Sequence, residues 1–97
     1  MYVGIARCDF LVPGSTSLKD KRQVVRHILG SLRAKFNVGA AEVDYQDLRQ
    51  RGAIAVSCIS GSSFHTRRML LEIERFVRSQ VPIEVIEVRV ELVTPDA

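Results

Sequence analysis

Ala53-Ile54-Ala55-Val56-Ser57-Cys58-Ile59 decides the fold. A short run of small, β-branched and apolar residues without a single charge fits a strand buried in the middle of a sheet. Ser60-Gly61-Ser62-Ser63 follows it, a turn whose hydroxyls suit helix capping. The helix expected next, over residues 64–79, gathers Met69, Leu70, Ile73, Phe76 and Val77 on one arc. Pro82 closes the connection to a last strand over 83–93. There Ile86, Val88, Val90 and Leu92 alternate with Glu87, Arg89 and Glu91.

Upstream of the central stretch, residues 46–52 read as a polar turn and 38–45 as a second strand of smaller residues. Asn37 ends a helix expected over 18–36, with Ser17 as its N-cap and Asp20 near its positive end. Leu18, Val25, Ile28, Leu29, Leu32 and Phe36 make its apolar arc. Before the Pro13-Gly14-Ser15-Thr16 break, residues 2–12 form a strand with Gly4, Ala6, Cys8, Phe10 and Val12 on one face and Arg7 and Asp9 on the other. The order β-α-β-β-α-β over 1–97 predicts one α+β domain of ferredoxin-like type: a four-stranded antiparallel sheet with both helices on one face.

Composition narrows the function. The 97 residues are 46% hydrophobic and 26% charged, enough for one core and unlike a disordered tail. No apolar run is long enough to cross a bilayer, and the start of the chain lacks a signal-peptide pattern, so a cytoplasmic protein with no membrane association is expected. Cys8 and Cys58 are too few for a disulfide framework or a four-ligand zinc site; they read as reduced, buried side chains. Neither His27 nor His65 has triad spacing, and Glu42, Asp44 and Asp47 read as exposed turn acids. No catalytic group, metal site or cofactor is called for, and the expectation is a protein that is not an enzyme.

Charge is unevenly spread. Net charge is +3, yet residues 17–36 alone carry +5 and 62–80 carry +2. On a helical projection Lys19, Arg22, Arg26 and Arg33 fall within about 60° of one another, beside the apolar arc. Arg67, Arg68 and Arg75 lie outward on the second helix, where Arg68–Glu72 and Glu74–Arg78 have ion-pair spacing. Lys21 falls inside the apolar arc and is expected to snorkel past its edge, or to join Gly14, Ser15, Thr16 and Ser17 in an anion site at the helix start. A row of arginines at turn spacing matches successive phosphates. The sheet offers no comparable site: Ala53–Ile59 has no aromatic for base stacking and no Asn of the acylphosphatase kind, and Tyr2 and Phe10 share the inward register.

Pro13-Gly14, then Ser17-Leu18-Lys19-Asp20-Lys21-Arg22, Phe36-Asn37-Val38, Ala41-Glu42-Val43, Gln46-Asp47-Leu48 and Gln50-Arg51 resemble the bacterial YlxP proteins, a family of unknown function. The resemblance spans nearly the whole chain and departs at Tyr45 and Arg49. It implies a ferredoxin-like fold without established catalytic residues, and a gene neighbourhood linked to translation initiation and ribosome maturation. The leading expectation is therefore an accessory protein that binds structured RNA, ribosomal or precursor, through Lys19, Lys21, Arg22, Arg26, Arg33, Arg67, Arg68 and Arg75. Gln46 and Arg51 stand as further turn contacts. The rival is a protein-interaction or homodimerisation module using the open sheet face, where Val3, Ile5 and Leu11 point away from the helices.

Overall fold

In the computed structural model, which describes residues 1–95, the alternating run Tyr2–Leu11 forms strand β1 and turns Ala6, Cys8 and Phe10 into the core. Ser17 starts helix α1 (Leu18–Lys35): its Oγ accepts the Asp20 N–H at 3.0 Å. The helix ends one residue before its apolar periodicity does. Phe36 takes an extended conformation, its N–H still bonded to the Leu32 carbonyl at 2.9 Å. Strands β2 (Gly39–Asp44) and β3 (Arg51–Ser60) follow, then helix α2 (Ser63–Arg78) and strand β4 (Glu84–Val93). Ser62 caps α2 through the His65 N–H, 3.2 Å from its Oγ.

The strands lie in the order β2-β3-β1-β4, every pair antiparallel, which is the ferredoxin-like arrangement. β3, uncharged beyond Arg51, is an interior strand, with Ile54 opposite Cys8 and Val56 opposite Ala6. Phe10, Ile28, Leu32, Ile54, Ile73 and Val77 meet in one core between the sheet and the helices. Burying each such side chain contributes roughly 1.5–3 kcal/mol. At Gly4 a Cβ would come within 2.8 Å of Thr66 Cγ2 and 2.9 Å of Cys58 Sγ, so the bare backbone lets α2 settle directly onto β1.

Two irregularities interrupt the sheet register, and the first shifts the faces expected for β4. Between Asp9 and Phe10 the β1–β4 register slips, placing Val85 opposite Phe10 and Val88 opposite Cys8. Ile86, expected inside with Val88, is half exposed because the extra residue inverts the alternation upstream of it. A second irregularity between Glu42 and Asp44 leaves Val43 exposed on β2.

Candidate nucleic-acid interface

The inward face of α1 is set by Lys21, Val25, Ile28, Leu29 and Leu32. One flank of that face meets α2, where Lys35 Nζ lies 5.0 Å from the centre of the Phe76 ring. Lys19, Arg22, Arg26 and Arg33 occupy the other flank, all exposed, on the side of β2. Arg33 reaches that strand and donates from Nη2 to the Ala40 carbonyl. Among the described residues no carboxylate forms an ion pair with any of the four. Asp20 is the one acid in the helix, and its carboxylate is turned back on the loop. Its Oδ2 accepts from Thr16 Oγ1 at 2.6 Å and from the Thr16 N–H at 3.3 Å. These bonds, the Thr16 hydroxyl first, hold the Asp20 carboxyl below the usual carboxylate range. With the Ser17 cap they engage the N–H groups of Thr16 and Asp20 and fasten the loop to the helix start.

Lys21 does not belong to the surface patch. It is fully buried. Its Nζ donates to the Tyr45 carbonyl at 2.5 Å and the Arg51 carbonyl at 3.1 Å, and lies 3.4 Å from Glu42 Oε2. The ammonium thus ties the first turn of α1 to both ends of the turn joining β2 and β3. No phosphate reaches it, and snorkelling gives way to a closed set of backbone and carboxylate partners. Glu42, read from sequence as an exposed turn acid, points to the helix side of β2 as that partner. Tyr45 adopts φ 61°, a left-handed conformation uncommon for an aromatic residue. Its N–H is fixed by Asp44 Oδ1 at 2.8 Å, and its ring lies 4.4 Å from the Arg51 guanidinium carbon. Arg51 is committed to that stack, while Gln46 is exposed.

The arginines of α2 do not extend the α1 patch. Arg67 borders a groove with Leu71, Val90 and Glu91, on the β4 side of the molecule. Arg68 pairs with Glu72 at 3.7 Å and, with Arg75, borders the helix seam near Lys35 and Phe36. Arg78 pairs with Glu74 at 3.0 Å, as its spacing implied. The basic side chains therefore form an unpaired stripe on α1 and a separate, partly neutralised set on α2.

The open sheet face is charged at its middle. Arg7 makes a forked contact to Asp9 at 3.1 and 3.2 Å and bonds Asp44 Oδ2 at 3.2 Å. Arg89 lies 3.9 Å from Asp9 and 2.9 Å from Glu87. Asp9, then Asp44, push the Arg7 guanidinium further toward its charged form, and Asp44 is held low by the Tyr45 N–H and by Arg7. Among the described residues, the apolar side chains of this face include Val3, Ile5, Ile59 and Val93 at one end and Leu11 at the other. Cys8 and Cys58 are free and buried; burial pushes the Cys8 thiol up to about 11. Among the described residues no three of His, Cys, Asp and Glu are placed to hold a metal ion, and no helix is long and apolar enough to cross a membrane.

Fold and charge together define a ferredoxin-like domain with an uncompensated basic helix flank. The chain belongs to the family described as Protein of unknown function (DUF503), which matches residues 3–90. It is 35% identical over 82 residues to the Uncharacterized protein YlxP of Bacillus subtilis (strain 168), covering 84% of this chain and 89% of that relative. The resemblance read from the motifs is thereby established. Among solved structures, the de novo designed protein Foldit4 is similar with a TM-score of 0.54 at 15% identity, over 97% of this chain and 98% of that one. SnoaB, a cofactor-independent oxygenase from Streptomyces nogalater, has a TM-score of 0.48 at 11% identity, over 99% and 94% of the two chains. At such identities the likeness concerns the fold alone.

Proposed function

We propose that this protein is a non-enzymatic accessory factor that binds structured RNA along the exposed flank of α1. The observation that supports this most is the stripe of Lys19, Arg22, Arg26 and Arg33, none of them ion-paired to a carboxylate among the described residues. Successive members stand roughly 5–11 Å apart along the helix axis, at 1.5 Å per residue. Such a row meets a phosphate backbone without reading bases, so recognition is by shape and charge. Arg67, Arg68 and Arg75 belong to other surfaces, and Lys21 acts from inside the fold. The translation-linked gene neighbourhood of the YlxP family favours ribosomal RNA or its precursors as the ligand.

Fluorescence anisotropy with a labelled ribosomal-RNA hairpin, titrated across salt, tests the reading. Four phosphate contacts give a slope of log affinity against log salt of about −3 to −4. Replacing Arg22, Arg26 and Arg33 together by Ala removes about three-quarters of that slope and leaves the fold intact, since all three side chains are exposed. Absent binding at low salt, or a slope unmoved by the triple substitution, overturns the proposal.

A further inference from the structure

We propose that β4 is a self-pairing edge: two copies of this chain join their β4 strands antiparallel about a two-fold axis through Val90, making one continuous eight-stranded sheet. The inference is independent of RNA binding and uses the opposite side of the molecule from the α1 stripe.

Three observations converge on it. First, β4 is a ten-residue strand at the end of the sheet, bonded to β1 on one side only among the described residues. Long open edges are templates for another strand. Secondly, the helix side of that edge carries an apolar groove of about 330 Å³ between α2 and β4, with Leu71 63% and Val90 54% exposed. Leu70 and Leu92 line its floor, and Arg67 and Glu74 stand at its rim. Thirdly, the sequence of β4 is self-complementary in one register. With Val90 facing Val90 of the second copy, Arg89 faces Glu91, Val88 faces Leu92, and each pairing occurs twice by symmetry.

Neighbouring registers fare worse. Centring the axis on Arg89 sets that guanidinium against its own copy and Glu87 against Glu91. Centring it on Val88 offers Arg89 only Glu87, a residue type it already binds within its own strand at 2.9 Å, and leaves Glu91 opposite Val85. Among the described residues Glu91 has no cationic partner within one chain. The axis through Val90 supplies one.

The helices agree with this geometry. A two-fold axis normal to the sheet keeps both copies of α2 on the same side of it. With strands about 4.8 Å apart, two helices seated over β1 and β4 come to lie ~10–14 Å from each other. That distance is spanned by the two Leu71 side chains, which close over the paired valines. Antiparallel α2 helices crossing between Leu70 and Leu71 bring Arg67 of one copy toward Glu74 of the other. The apolar groove, half-exposed in one chain, becomes the floor of a closed seam.

Sedimentation velocity of the full chain at high micromolar concentration tests the proposal. The expected species has twice the monomer mass. Leu71→Asp, on an exposed helix position, gives a monomer with an unchanged circular dichroism spectrum. Arg89→Glu and Glu91→Arg, taken singly, each weaken the dimer roughly ten-fold by setting like charges opposite at two symmetric places. Combining them restores it, because the pairing is only reversed; Arg89 contacts to Asp9 and Glu87 alone give no such rescue. A monomer at every concentration, a dimer indifferent to Leu71→Asp, or a double variant no better than the singles overturns the inference.

Discussion

Replacing Lys21 by Met separates a structural lysine from a ligand-binding one. The side chain is fully buried, and its ammonium serves two backbone carbonyls and one carboxylate. Methionine keeps most of the stem volume, so the loss falls on the polar partners. Removing one member of a buried pair costs about 3–5 kcal/mol. Glu42 retains some access to water, its side chain 19% exposed, which places the expected loss near the lower end, about 3 kcal/mol. For a domain of this size that lowers Tm by roughly 12–24 °C. Glu42→Gln added to Lys21→Met recovers part of the loss, about 1–2 kcal/mol, by removing the stranded carboxylate. Urea unfolding of the two single variants and the double variant measures the cycle. A Lys21→Met protein within about 0.5 kcal/mol of the parent, or strictly additive variants, refutes the buried-clip account. Lys21→Met is also expected to leave the salt slope of RNA binding unchanged, whereas a phosphate-binding lysine lowers it by nearly one.

Gly4→Ala forces a methyl against Thr66, Cys58 and Leu70 and is expected to cost about 1–3 kcal/mol, while Gly30→Ala, exposed in mid-helix, gains about 0.5–1 kcal/mol. Chemical denaturation of the pair checks both signs; equal effects contradict the close approach of α2 to β1. Asp20 and Asp44 titrate lower in the folded chain than when unfolded, so their stabilisation is present above the ordinary carboxylate value, near pH 4, and is lost as pH falls through their folded values. Asp20→Asn should blunt that acid loss, and superimposable acid melting curves for variant and parent disprove it. The Cys8 thiol is raised from about 9 to about 11, so its contribution is full below pH 9 and fades as pH climbs toward 11. Ellman's reagent at pH 8 should leave native Cys8 unmodified and label it in denaturant; rapid native labelling would mean the thiol is not enclosed.

Much of the architecture was legible because each element carried its own period. Ala53–Ile59 lacked charge and proved to be interior, and Ser17 and Ser62 mark helix starts that the hydroxyl bonds realise. Ile86 was misplaced because a bulge leaves no local mark: inserting one residue changes parity, and only the register against Asp9 and Phe10 reveals it. The α1 stripe was readable from 100° steps alone, but its separation from the α2 arginines depends on which flank faces the neighbouring helix. Lys21 gave a signal, a cation inside an apolar arc; its partners, more than twenty residues away at Tyr45, Arg51 and Glu42, did not. Asp9 likewise looked like a surface residue until the flanking Arg7 and Arg89 covered it.

The two margins of the sheet are unlike. β2 has six residues, is interrupted at Val43 and has Arg33 seated on its Ala40 carbonyl, whereas β4 runs uninterrupted for its last seven residues. An assembly grown through β4 consequently terminates at two subunits: each addition uses up the hospitable margin and presents the blunt one to solvent. A protein built this way can pair strands with itself and still be protected against running on into fibrils.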